Sequence, residues 1–321
     1  MELLLGLEDR GYPVEYLLSR IRGRRAELIK DWKVLLFDAS PLDVLLSPRA
    51  RGSVSKASPD AVWRRLIKEY RWVYSQMNKR LRETFSLYFL YSELRTVFIC
   101  LRHIKDGKAA RFEELLNESL LSTKLRSLLM SAKDLPTAVA GVSRMFAALS
   151  PEFEQINDRL EDEGLRGVER RLTNRYLAYA ASTASDALIR AFMARMVDSR
   201  NLIRLIECVQ QDAVGLPDFI DHGSIPLARL NAIQGKRDLS AANALIREYT
   251  GEKNDLADAV QTEHALYAGT SKYLRLAGRD IVGMAPILDY LWQCSIEAMN
   301  LSILFYGKDI ERDVISAELV R

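Results

Sequence analysis

Tyr273–Lys308 reads YLRLAGRDIVGMAPILDYLWQCSIEAMNLSILFYGK. Within it Ile287, Leu291, Cys294, Ala298, Leu301 and Phe305 recur at steps of four and three, which lays one apolar face along a helix. That face carries the unit Glu297-x-x-Asn300-Leu301, and the run closes at Gly307-Lys308. Two related units stand upstream: Asp198-Ser-Arg-Asn201-Leu202, and Glu93-Leu-Arg-Thr96-Val97, which closes at Asp106-Gly107-Lys108. The acids are 105 and 99 residues apart, and a tyrosine (Tyr70, Tyr176 or Tyr273) precedes each by 22 to 24 residues.

An acid and an amide three apart share one side of a helix, about one turn from each other. Asparagine is a weak helix former, so a recurrent one inside an apolar stripe points to a side-chain hydrogen bond between helices. Asp198 has a second reading as an N-cap where the chain bends into a new helix. The closing glycine is expected to supply a left-handed helix stop, with lysine near the negative end of the dipole. On this reading the units build architecture and hold no ligand.

Working outward, the whole chain reads as helix. Its 321 residues are 48% hydrophobic and 28% charged, a globular composition able to bury a substantial core. Val62, Leu66, Tyr70, Val73, Met77, Leu81, Phe85 and Tyr88 keep step without a break, predicting one helix of about thirty residues, roughly 45 Å long. Tyr16–Ile29 is a basic amphipathic helix with Leu17, Ile21 and Leu28 inward and Arg20, Arg24 and Glu27 outward. Ser40-Pro41-x-Asp43 is a helix start, and Ser47–Ser58 a loop. Further helices are expected at Phe112–Met130, Glu154–Arg171, from Arg175 through Met196, at Leu216–Ile220, Ile225–Ile233 and Leu239–Glu248. Copies about a hundred residues long exceed the usual solenoid repeat of about 20–50 residues. The expected organisation is therefore all-α, with three similar helical domains about a rough threefold axis. Their bounds are 1–130, 131–235 and 236–321, with the N-terminal helices able to join the third.

The net charge is +3, but residues 1–110 hold 21 Lys and Arg against 13 Asp and Glu. Such a basic first third suits an acidic partner or a phosphate surface, or is simply the wet side of helices. Arg22-Gly-Arg-Arg25 is read in the latter way. Cys100, Cys208 and Cys294 lie far apart without CxxC spacing, as buried free thiols of a reducing compartment do. The opening MELLLGLEDRG has acidic flanks and no basic start, unlike a secretory leader. No apolar run approaches the roughly 20 residues that span a bilayer.

Nucleotide-loop, nucleophile-elbow and zinc-protease motifs are all missing. Gly307-Lys308 ends a helix where a phosphate loop begins one. His103, His222 and His264 are isolated, so no metal ligand is assigned. Glu161-Asp162-Glu163 imitates one magnesium-binding motif of helical prenyl-transfer enzymes, but the second motif is missing and the run reads as solvated. No catalytic, cofactor-binding or metal residue is assigned, and partner-binding residues stay unknown.

The three units, with Tyr16-x-x-x-Arg20-x-Arg22-Gly-Arg24 at the front and Glu297-x-x-Asn300-Leu301 through Gly307-Lys308 at the end, resemble the C subunits of the rotary V-type/A-type ATPases (ATP synthases), the family of the eukaryotic V-ATPase d subunits. The closing Asp309–Val320 is similar to that family's last short helix. Thr96-Val97 departs from the Asn-Leu of the pattern. The resemblance implies an all-helical, funnel-shaped, non-catalytic protein of three similar domains, without a cofactor. It implies a peripheral position on the cytoplasmic face of a membrane complex, between the central shaft of the ATPase head and the membrane proteolipid ring, in proton or sodium transport. Outside the complex a monomer is expected, with no nucleic acid bound. Two rivals stand beside it: a helical nucleic-acid-binding or scaffold protein using the basic N-terminal third, and the prenyl-transfer enzyme.

Overall fold

Asn78 decides how the first long apolar stripe folds. Its side chain accepts from the Leu81 amide at 3.0 Å, an N-cap that starts a new helix. The Arg82 guanidinium takes the Met77 carbonyl at 2.8 Å. The expected single helix is therefore two, because the apolar spacing runs through the break in phase and hides it.

In the computed structural model the described residues are 2–37, 59–108, 112–158, 160–210, 218–253, 256, 258–279, 283–307 and 310–320, without the side chains of 33, 34, 37, 59 and 60. The expected helix start at Ser40, the loop Ser47–Ser58, and Lys308 lie outside them. The described residues are helical, with a lone bridge between Leu4 and Leu121. They form two compact units: Met1–Gly11 with Met77–Asp238, and Tyr12–Gln76 with Leu239–Arg321.

Unit 1 contains α4 (Lys79–Lys105), α5 (Glu113–Glu118), α6 (Thr123–Ser131), α7 (Leu135–Ala147), a 3-10 turn (Pro151–Asn157), α8 (Leu160–Thr183), α9 (Ala187–Gln210) and α10 (Leu227–Lys236). Helix α4 is apolar nearly all round, with Phe85, Phe89, Leu90, Val97, Cys100 and Leu101 fully buried, as a central helix must be. It packs against α6, α7, α8 and α9. Phe146 meets Phe153 at a tilt and Tyr176 edge-on, and Tyr88 meets Phe192 at a tilt, with ring centroids 5.4–6.4 Å apart, a preferred range for aromatic pairs. The expected helix Phe112–Met130 is two helices, because Leu120–Ser122 turns aside to pair with the Leu3 and Leu5 backbones. The run from Arg175 to Met196 also breaks, where Asp186 caps the Leu188 and Ile189 amides. Gly164, at φ +63°, interrupts the connecting helix expected over Glu154–Arg171. Residues 218–220 are not helical, against the short helix expected there.

Unit 2 contains α1 (Val14–Arg25), α2 (Trp32–Phe37), α3 (Pro59–Gln76), α11 (Leu239–Thr250), α12 (Ala259–Ala277), α13 (Ala285–Tyr306) and α14 (Arg312–Glu318). Its central helix is α13, in which Ile287, Leu288, Tyr290 and Leu291 are fully buried, and α1, α3, α12 and α14 pack on it. Gly251 stops α11 at φ +77°. Gly307 does not act in that way. Its φ is −85°, and a Cβ there would lie 2.9 Å from the Ile303 carbonyl and the Ile315 side chain. Glycine at 307 serves close approach, whereas Gly107 at φ +68° is a true left-handed stop.

Candidate functional site: buried latches and a charged seam

Asp198 and Asn201 lie inside α9, 0% and 1% exposed. Asp198 is therefore no N-cap of its own helix. Its carboxylate accepts from the Ser224 amide at 3.0 Å, the Ser224 hydroxyl and the Ile225 amide at 3.1 Å. A Cβ on Gly223 would stand 2.2 Å from Asp198 Oδ1, so only glycine lets this turn close on the carboxylate. One turn along, the Asn201 amide donates to the Ile220 carbonyl at 2.9 Å and accepts from the Ile220 amide at 2.8 Å. One side chain thus satisfies both backbone groups of a residue outside regular structure.

Asn300 on α13 does the same to Val320, donating to its carbonyl at 2.8 Å and accepting from its amide at 3.0 Å. The intervals are 19 and 20 residues. Glu297 accepts from the Ile29 amide at 3.2 Å and lies 3.3 Å from the Arg65 guanidinium. In the first copy Glu93 Oε1 accepts from the Leu120 amide at 2.6 Å, and its charge, after burial itself, pushes the Cys100 thiol up. The hydrogen bonds expected of the recurrent asparagine are present, but they grip turning backbone and not a neighbouring helix. The three cysteines are free and buried.

Two of the three tyrosines have a role that spacing did not reveal. Tyr176 donates to the Leu87 carbonyl at 2.7 Å and Tyr70 to the Leu291 carbonyl at 3.0 Å. Leu87 and Leu291 each stand six residues before an acid of the pattern, Glu93 and Glu297, though not the acid that follows the tyrosine in sequence. Burial holds the Tyr176 hydroxyl well above its ordinary pKa, so it stays a donor.

A charged seam runs beside α13. Arg24 meets Glu69 in a fork of 2.7 and 2.6 Å, with its guanidinium 3.9 Å from the Trp72 ring centre. Tyr290 donates to the same carboxylate at 2.6 Å. Arg25 pairs with the fully buried Asp289 at 2.6 Å. Arg24 and Arg25 are therefore not the wet side of α1, as their spacing implied; Arg20 is, resting on Tyr16 and Trp72. The Glu69 hydrogen bond holds Arg24 protonated. Burial raises the Asp289 pKa against the pull of Arg25.

The remaining candidates separate. His103 lies against Phe112, His222 occupies a turn at φ +68°, and His264 is 3.5 Å from Glu318. Glu161 and Asp162 are exposed, while Glu163 pairs with Arg170 and Arg171 at 2.9 and 2.8 Å. Among the described residues no group of three or more His, Cys, Asp or Glu could hold a metal ion, and no helix is long and apolar enough to cross a membrane.

The asparagine latch thus recurs on a buried helix of each unit. Residues 52–318 match the family model described as ATP synthase (C/AC39) subunit, and the chain belongs to that family. No curated protein matches the chain.

Proposed function

We propose that this chain is the non-catalytic coupling component of the central stalk of a rotary V/A-type ATPase. It links the rotating shaft of the soluble head to the membrane proteolipid ring, on the cytoplasmic face, and so couples ATP chemistry to proton or sodium transport. Three similar helical modules in a pseudo-threefold, funnel-like arrangement belong to this reading, as does a monomeric state outside the complex. The observation that carries it is the family match along 52–318. The latches support it: a part that transmits torque must resist bending, and close-packed central helices tied to their own connecting segments do so.

The test is purification from membranes through a tag on this chain, followed by ATP-driven ion uptake in vesicles lacking it. Shaft and proteolipid subunits should come down with the tagged chain, and vesicles without the chain should hydrolyse ATP in the head while ion uptake is lost. ATP hydrolysis by the isolated chain, or normal uptake without it, overturns the reading.

A further inference from the structure

Unit 2 holds a half-open pocket of about 600 Å³ whose polar lining is rich in donors. Among the described lining residues Arg25, Lys30 and Arg275 carry positive charge and Asp31 negative charge. Arg25 is anchored from behind by Asp289 through one nitrogen, yet its side chain remains 37% exposed, leaving further N–H donors of the guanidinium fork for a ligand. Asp289 also feels the charge of Arg275, so one buried carboxylate stands behind two of the three cations.

Two neutral side chains point the same way. Ser271, 2% exposed, accepts from the Trp292 indole at 2.8 Å, so its own hydroxyl proton still needs an acceptor. Gln293 Nε2 is buried and turns one N–H to Asp289, which leaves the second N–H of its amide. Unused buried donors beside an excess of cations call for acceptor oxygens carrying negative charge.

We infer that this cavity binds a phosphate-class oxyanion through Arg25, Lys30, Arg275, Ser271 and Gln293. The volume exceeds what bare phosphate fills, so the anion is either free phosphate or the phosphomonoester headgroup of an anionic lipid. Ile29 and Val320, held by Glu297 and Asn300, also line the cavity, but the inference does not depend on the coupling role.

The experiment titrates the full chain with inorganic phosphate by calorimetry at fixed ionic strength, and separately sediments it with phosphatidylcholine vesicles with and without phosphatidic acid. Lys30→Gln with Arg275→Gln removes two cations of the site. Arg80→Gln with Lys124→Gln removes two exposed cations of unit 1 as a charge-matched control. Saturable phosphate binding, weakened at least roughly tenfold in the first pair and unchanged in the control, is the expected result. Vesicle binding that needs phosphatidic acid and follows the same variants, without binding of free phosphate, also supports the site and assigns the headgroup as its source. Binding in neither assay, or equal loss in both variant pairs, overturns it.

Discussion

The two units differ in what dominates the support of their central helices, although α4 also carries the Arg102–Glu169 fork and α13 the Tyr267–Trp292 ring contact. In unit 1 the support around α4 and α9 is aromatic: Phe146, Phe153, Phe192 and Tyr176 are fully buried and meet other rings. In unit 2 the support around α13 is ionic, with Arg24 on Glu69, Arg25 on Asp289 and Arg65 on Glu297. The asparagine latch is the same in both. One device thus tolerates two kinds of surroundings: apolar packing, which titration and charge screening leave alone, and charge pairs, sensitive to both.

The largest effect should come from emptying the aromatic support. Phe192→Ala is expected to cost about 3–5 kcal/mol, read as a lower denaturant midpoint that does not change with salt; a strong salt dependence would erase the distinction between the units. Next come the latches. Asn201→Ala and Asn300→Ala each strip two hydrogen bonds from buried backbone and should cost about 2–3 kcal/mol. Hydrogen exchange should quicken at Ile220 in the first and at Val320 in the second. Unequal costs would show that the surroundings strengthen one latch more than the other.

Glu69→Gln should cost less, about 1–2 kcal/mol, because Arg24 keeps partial solvent contact and its place over Trp72. The loss should shrink as salt is raised, since screening already weakens the wild-type pair. The smallest effect concerns pH. Burial raises the folded pKa of Asp289 above 3.8, so the native state holds this proton to higher pH than the unfolded chain. Stability therefore falls as pH rises from about 4 through the folded pKa. Asp289→Asn should flatten that fall, measured as thermal midpoint against pH, while Phe192→Ala leaves the slope in place.

Much of this was legible in the sequence. Steps of three and four placed the buried faces of α4, α9 and α13, and the acid with its asparagine could be put on one helix side from spacing alone. The helix breaks at Asn78 and Asp186 were not, because apolar periodicity continues across both and a single cap residue is a faint signal beside it. Arg24 and Arg25 looked solvated because their partners, Glu69 and Asp289, are 45 and 264 positions away. The Tyr70 hydrogen bond spans 221 residues, and no local pattern carries such a pairing. The phosphate-class cavity was hidden for the same reason, being assembled from stretches around 25–32, 271–275 and 293.

That 221-residue reach also sets an order of events at the ribosome. Helices α1 and α3 emerge early with Leu17, Ile21, Tyr70 and Val73 ready for burial, but α13, on which they pack, is made more than 200 residues later. At about 5–20 residues per second that is a delay of roughly 10–40 s. All of unit 1 from Met77 to Asp238 is synthesised in the interval. The early helices spend it without α13 to cover the faces they later bury against it, the interval in which the growing chain is most open to misassociation.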